Sequence, residues 1–335
     1  MRIIIPMAGW GTRLRPHTLT IPKPMLPVAG KPIVQRLVEG LVKSTDQKVE
    51  DIIFIIREDF GKVIPQQLLD IATSVGSKGH IKYQDVALGT AHAILCAEDF
   101  LEGNIIVAFA DTLFRSEFKI DQSQDGVIWV QKVADPSAFG VVKLDANNVI
   151  TDFIEKPKDF VSDLAIIGIY YFKDGVYLRK EMQYLIDHDI KQKGEYWLTD
   201  AMERMKTQGA KFHKGEVIEW LDCGNKDATV NTNQRVLEFI KEESLVSKKA
   251  VIENSVVIQP CFIDDDVVIK NSVVGPYVSV GKGTVIENSV IQNSIVQTQT
   301  NLKNKLIGNS MIGNSVKLEG RLEDLSIGDC NVVIQ

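Results

Sequence analysis

An apolar run, Ile3-Ile4-Ile5-Pro6, leads straight into Met7-Ala8-Gly9-Trp10-Gly11-Thr12-Arg13-Leu14. A Gly-x-Gly turn lets the backbone come close to an anion and point successive amides at it, because glycine lacks the Cβ that would block the approach. Arg13 adds a planar, permanently charged fork suited to phosphate oxygens. A few residues on, Lys23 sits in Ile21-Pro22-Lys23-Pro24-Met25-Leu26-Pro27, whose prolines stiffen the segment and hold the ammonium at a set distance from the turn. This chemistry is that of gripping a polyphosphate. A dinucleotide-binding turn competes, but Leu14 stands where GxGxxG needs its third glycine. A second cation straight after the turn also suits a triphosphate better than a pyrophosphate bridge. Two carboxylates complete the candidates. Asp111 follows the apolar run Ile105–Ala110, where an aspartate can also cap what comes next. Asp222, in Trp220-Leu221-Asp222-Cys223-Gly224, read alone is a turn residue.

These residues need a scaffold. Up to about residue 240, short β-branched runs alternate with longer amphipathic stretches. Arg2–Pro6, Ile52–Ile56, Ile105–Ala110, Gly126–Gln131 and Ile166–Phe172 read as strands, several continuously apolar as in a sheet covered on both faces. Ile33–Val42, Val63–Ser74, Ala91–Glu98, Val176–His188 and Leu198–Gln208 read as helices, and Val230–Glu243 as a connecting helix. The alternation predicts an α/β, doubly wound, mixed but mostly parallel sheet. Ligands in such sheets sit beyond the carboxyl ends of the strands, which points to the loops after Ile5 and Phe109.

From Val251 the texture changes to Val, Ile, Asn, Ser and Gly. Asn-Ser recurs at Asn254-Ser255, Asn271-Ser272 and Asn288-Ser289, each 17 residues after the last, and returns at Asn293-Ser294, Asn309-Ser310 and Asn314-Ser315. Val268, Val274, Val280 and Ile286 are six apart and are expected to point inward. Such a period predicts a β-solenoid of the hexapeptide-repeat, left-handed β-helix type, with its last coils distorted after Gln292. The expected domains are 1–240 and 241–335, with a linker at about 241–250.

A formal net charge of -6 argues against a nucleic-acid partner, which needs a basic surface. The four cysteines, Cys96, Cys223, Cys261 and Cys330, show no CxxC spacing and suit free thiols. No stretch is long and apolar enough for a membrane span, so a cytoplasmic location is expected.

The segments Ala8-Gly9-Trp10-Gly11-Thr12-Arg13-Leu14 and Pro22-Lys23-Pro24-Met25-Leu26-Pro27 resemble the signature of the sugar-1-phosphate nucleotidylyltransferases. Many members carry two glycines before the variable residue; the single Gly9 before Trp10 is similar to bacterial glucose-1-phosphate uridylyltransferases. Further segments follow in family order. Gln84 and Leu88-Gly89-Thr90-Ala91-His92-Ala93 resemble the base-recognition segment, and an amide there can pair with an imide edge. Phe109-Ala110-Asp111-Thr112 and Trp220-Leu221-Asp222 resemble the segments holding Mg2+. Phe139-Gly140-Val141, Glu155-Lys156-Pro157 and Gly168-Ile169-Tyr170 resemble the sugar-site motifs. The resemblance therefore implies nucleotide binding by Ala8, Gly9, Gly11, Thr12, Arg13, Lys23, Gln84, Gly89 and Thr90. It implies sugar-phosphate binding by Gly140, Glu155, Lys156, Gly168 and Trp220, metal binding by Asp111 and Asp222, and catalysis by Arg13, Lys23, Asp111 and Asp222. His92 reads as a helix-face residue rather than a catalyst; Trp10 and Trp197 are open between lining the site and packing.

The implied reaction joins a nucleoside triphosphate to a sugar-1-phosphate, glucose-1-phosphate with dTTP or UTP first, mannose-1-phosphate with GTP second. Two readings of other classes compete. A hexapeptide acetyltransferase resembles its relatives in having a histidine base within the solenoid, but His17, His80, His92, His188 and His213 all precede it. A non-catalytic, nucleotide-sensing subunit is expected to lack Asp111 or Asp222. The tail is expected to support a homo-oligomer.

Overall fold

The structure, a computed structural model, describes residues 1–115 and 119–321. Its contacts divide the chain into two compact units: Met1–Leu26 with Lys31–Ala228, and Pro27–Gly30 with the residues from Thr229 onward. The boundary expected at residue 240 lies just past a helix, Lys226–Phe239, within which the contact division falls.

The first unit carries strands β1 (Arg2–Pro6), β2 (Asp51–Ile56), β3 (Lys78–Tyr83), β4 (Ile105–Ala108), β5 (Thr112–Arg115), β6 (Gly126–Lys132), β7 (Gly140–Leu144), β8 (Ile150–Glu155), β9 (Leu164–Phe172), β10 (Phe212–Glu216) and β11 (Glu219–Asp222). Helices α1 (Ile33–Lys43), α2 (Val63–Ser74), α3 (Thr90–Leu95), α4 (Gly175–Asp187), α5 (Leu198–Thr207) and α6 (Lys226–Phe239) intervene or follow. Nine strands form one mixed sheet in the order β8-β7-β9-β4-β1-β2-β3, with β6 paired to β9 and β10 to β6. β1 runs parallel to both β2 and β4, while β9 is antiparallel to β4.

The apolar runs are central because both faces are covered. Ile4, Ile53, Ile105 and Val107 pack with Ala91 and Ile94 of α3, Leu178 and Met182 of α4, and Ala201 and Met202 of α5. Ile3, Ile5, Ile52, Phe54 and Ile106, on the alternate face, are equally buried. Sequence reading passed over β3, β5, β7, β8, β10 and β11; of these β3 (Lys-Gly-His-Ile-Lys-Tyr), at one end of the sheet, and β10 (Phe-His-Lys-Gly-Glu), which pairs with β6 and bridges Val149 through His213, are polar. The strand expected over Ile105–Ala110 stops at Ala108, just before a turn closed by the Thr112 amide donating to the Phe109 carbonyl (3.3 Å). That early stop frees Asp111 from the ladder. The helix expected over Ala91–Glu98 ends at Leu95, and the one expected over Val230–Glu243 spans Lys226–Phe239.

Among its described residues the second unit stacks short parallel strands in three sheets of five, four and four, giving the left-handed β-helix type of hexapeptide-repeat architecture. Ile263, Ile269, Val274, Val280, Ile286, Ile291, Val296 and Leu302 fill its interior. Val268 does not: it stays half-exposed, and its neighbour Ile269 takes the inward place. The recurring Asn-Ser pair has a mechanism. Asn254, Asn271, Asn288 and Asn304 all adopt left-handed backbone (φ 47, 48, 47 and 55°), which asparagine tolerates better than most residues. Their amides hydrogen-bond coil to coil, Asn254 to Asn271 (2.7 Å), Asn271 to Asn288 (3.3 Å) and Asn288 to Asn304 (3.2 Å). The serines do the same through backbone amides: Ser272 N donates to Ser255 Oγ, and Ser289 N to Ser272 Oγ, each at 3.0 Å. Among the described residues the raggedness after Gln292 is a shortening of the step from 17 to 16 residues, with strand register intact, rather than a distortion; the expected last coils past residue 321 lie outside the described residues.

Candidate active site

β1 delivers the glycine turn to the sheet's carboxyl edge. Gly11 adopts φ 72°, and a Cβ on it would lie 2.5 Å from the Lys23 Cβ, so glycine is required both by conformation and by Lys23. The Thr18 hydroxyl donates to the Gly11 carbonyl (2.9 Å) and pins the turn. Lys23 is nearly buried, and its Nζ donates to Asp111 Oδ2 at 2.9 Å. A cavity of about 490 Å³ opens here, lined by Ala8, Gly9, Trp10, Gly11, Thr12, Arg13, Lys23, Gln84, Gly89, Thr90 and Asp111.

The two aspartates meet through a short antiparallel pair. β5 and β11 place Asp222 opposite Thr112, and the Cys223 amide donates to the Asp111 carbonyl (3.1 Å). Burial pushes the Asp222 carboxyl up; Lys23 pulls it down, the Asp111 charge raises it, and the Gly224 amide and Arg13 lower it again. Arg13, Lys23, Asp111 and Asp222 thus act on one electrostatic site. Gly224 is glycine for a local reason: a Cβ there would sit 2.8 Å from Asp222 Oδ2. Asp111 and Asp222 could together hold Mg2+, which takes one or two carboxylates together with phosphate oxygens and retained waters.

A second cavity, about 440 Å³, shares Arg13, Thr90, Phe109 and Asp111 with the first. Gly140, Glu155, Lys156, Gly168, Trp220 and Asp222 line it. Glu155 is mostly buried, which raises its carboxyl; Lys156 nearby and the Thr199 hydroxyl (3.4 Å) counter this. Lys156 has φ 44°, and its Nζ stands 4.5 Å from the Trp197 ring centre. A Cβ on Gly140 would meet Glu155 Oε2 at 3.0 Å. Gly168 (φ 86°) sits at the irregular step of β9, where its carbonyl binds Phe109. Trp220 stacks edge-on against Phe139 (5.0 Å), and its buried indole N–H has no partner among the described residues.

Every site residue expected from sequence lines one of these two cavities. Trp10 lines the first and Trp197 the second. Sequence reasoning missed Glu195 in the first cavity and Thr199 and Asn225 in the second. Glu195 and Thr199 flank the start of α5, and the only local signal is an aromatic pair, Tyr196-Trp197, before a helix. Gln84, the expected base reader, has its Nε2 3.3 Å from the Gly89 carbonyl and 3.1 Å from His92 Nδ1.

No described helix is long and apolar enough to cross a membrane. Residues 2–238 match the family model described as nucleotidyl transferase. The chain is 32% identical over 273 residues to the Bifunctional protein GlmU of Methanococcus maripaludis, covering 78% of this chain and 62% of that one, and so spans less than two thirds of that relative. It is 32% identical over 314 residues to the glucose-1-phosphate thymidylyltransferase of Streptomyces antibioticus, covering 86% of this chain and 85% of that one. It is also similar to a Bacillus anthracis crystal structure named for a glucose-1-phosphate thymidylyltransferase in complex with a sucrose (TM-score 0.59, 27% identity, 69% of this chain and 93% of that one). With the fold, the paired cavities and these matches together, the chain belongs to the nucleotidyl transferase family.

Proposed function

We propose that this chain transfers a nucleotidyl group from a nucleoside triphosphate to a sugar-1-phosphate and releases pyrophosphate. Glucose-1-phosphate with dTTP or UTP is the favoured pair, and mannose-1-phosphate with GTP the second. One observation carries the reading: two cavities, each of a size for one substrate, share Arg13 and Asp111 at their junction, with Lys23 bonded to Asp111. The second pKa of a phosphate monoester is about 6, so the attacking oxygen is already charged at neutral pH and needs no general base. The residues have only to hold two polyanions in line and neutralise the charge that develops. Arg13 and Lys23 hold the triphosphate, while Lys156 holds the sugar phosphate and Glu155 accepts from a sugar hydroxyl. Asp111 and Asp222 would hold Mg2+, which would supply Lewis acidity for the transfer. Gln84 suits bases with an imide N–H, and the thymidylyltransferase relative supports glucose-1-phosphate with dTTP.

The hexapeptide-repeat tail raises acetyl transfer as a second reading. No histidine stands in the solenoid sequence to serve as base, which disfavours that reading; we assign the tail a structural role in a homo-oligomer and the protein to the cytoplasm. A panel of four triphosphates against several sugar phosphates with Mg2+, read as pyrophosphate release, tests the proposal. Silence across the panel rejects it, and acetyl-CoA consumption revives the second reading.

A further inference from the structure

We infer that His92 is a positioning residue for nucleobase recognition: by accepting through Nδ1 it holds the Gln84 amide so that Oε1 is the group offered to the base. The inference rests on the nucleotidyl-transfer reading above.

Gln84 is nearly buried and lines the first cavity. Its Nε2 lies 3.3 Å from the Gly89 carbonyl oxygen and 3.1 Å from His92 Nδ1. An amide can be drawn either way round, and the partners decide which way is right. The Gly89 carbonyl can only accept, so turning the amide over would set two acceptor oxygens against each other. Nε2 must face Gly89. The carbonyl cannot swing aside to relieve such a clash, because it also accepts from Ala93 N (3.1 Å). Gly89 itself is fixed at φ 107° beside Tyr196, whose amide donates to Leu88 O (2.8 Å).

Once Nε2 faces Gly89, its second hydrogen points at His92 Nδ1, which must then be unprotonated. Burial favours this, since it lowers the His92 pKa and keeps the ring neutral. Both amino hydrogens are engaged, so the amide has only its carbonyl oxygen left. That oxygen accepts the ring N–H of thymine, uracil or guanine. Without His92, the amide is held at one point only and can rotate.

The test uses the full chain with UTP and dTTP and their N3-methyl forms, which lack the ring N–H. His92→Phe keeps a planar ring but removes the acceptor; His92→Asn keeps an acceptor near the Nδ1 position. Loss of one neutral hydrogen bond predicts a triphosphate KM and Kd about tenfold higher for His92→Phe, with kcat changed less than about twofold. His92→Asn should stay within about threefold of the wild type. Discrimination against the N3-methyl forms should shrink in His92→Phe. In a Gln84→Ala background His92→Phe should add nothing, because the histidine acts through the glutamine. Thermal unfolding of each variant separates this from a folding defect. Unchanged KM and discrimination in His92→Phe, or full additivity with Gln84→Ala, overturns the inference while leaving the transfer reading intact. Absence of both triphosphate binding and turnover in the wild type removes the transfer reading itself, and the inference with it.

Discussion

Asp111→Asn keeps the shape of the side chain and removes its charge, so it separates what Asp111 does for the fold from what it does for the reaction. The structural side can be sized. Lys23 Nζ lies 2.9 Å from Asp111 Oδ2; the lysine side chain is 8% exposed and the aspartate 46%. Two unit charges about 4 Å apart interact with about 4 kcal/mol at an effective dielectric of about 20. With half of the pair open to water, screening reduces the net contribution to about 1 kcal/mol. Lys23 is also not orphaned, because the Asp222 carboxylate interacts with it. A loss of about 1 kcal/mol corresponds to a fall of about 2–4 °C in Tm for a unit of this size.

The catalytic side is larger. Removing one preorganised group that stabilises developing charge typically lowers kcat by about 10²–10³. The variant should therefore remain folded, with Tm within a few degrees of wild type and kcat/KM at least about 100-fold lower. Pyrophosphate release on the best substrate pair and a thermal melt measure the two quantities on one preparation. Turnover within tenfold of wild type refutes the role given to Asp111. A melt lowered by more than about 10 °C refutes the sizing of the ion pair.

Three further outcomes test other parts of the structure. In Gly89→Ala, the new Cβ would fall 2.4 Å from the Tyr196 carbonyl at φ 107°, so triphosphate KM should rise at least about tenfold, with a stability loss of about 1–3 kcal/mol, both read by substrate titration and melting. Asp200 has its carboxyl pushed up to about 6, first by burial and then by the Glu155 charge, and its buried Oδ2 lacks a partner among the described residues. A raised carboxyl favours the folded state most below its unfolded value of 3.8, and that contribution is lost as pH rises through about 6. Asp200→Asn should accordingly be more stable than wild type at pH 8 by about 1 kcal/mol, after discounting for exposure, and should lose the advantage near pH 4.5 in urea melts. Asn288→Ala should destabilise the solenoid by about 1–2 kcal/mol through left-handed strain and lost ladder bonds, while Asn288→Gly, free of the strain, should cost less; the difference is read by chemical unfolding.

The parts legible in the sequence are those whose signal is local. The phosphate turn, Arg13 and Lys23 lie within one short stretch, and the conformation that Gly11 needs is written in its identity. The central strands β1, β2 and β4 were visible because burial on both faces leaves them uniformly apolar. β3 and β10 were not, since their polar side chains carry no strand period. The solenoid's inward position was misplaced by one residue at Val268 because Val268 and Ile269 are both aliphatic, and a three-residue strand is too short for alternation to choose between them. The choice is made by the turn: Ile269, Ile286, Ile291 and Leu302 each stand two residues before an asparagine in left-handed backbone, Asn271, Asn288, Asn293 or Asn304. Glu195 and Thr199 escaped notice because α5 and its preceding loop bring them to the cavities, and neither residue type is informative alone.

The convergence of Asp111 and Asp222 shows why charged residues are only half of the site's chemistry. Neither carboxylate positions the other: their like charges repel, and the Asp111 charge adds to the burial that chiefly raises the Asp222 carboxyl. What holds them is the four-pair ladder between β5 and β11, in which Leu113 stands opposite Leu221, both buried, with Cys223 buried at its end. A slip of one residue in such a ladder turns every side chain to the opposite face. It would expose Leu221 and swing Asp222 away from Lys23 and Arg13. The Thr112 hydroxyl, donating to the Ile167 carbonyl (2.6 Å), ties the same ladder to β9 beside Gly168. The apolar residues around each aspartate therefore set the register, and the register sets the electrostatics. A site assembled this way tolerates loss of a carboxylate's charge without unfolding, yet fails in function when a neutral neighbour shifts the ladder.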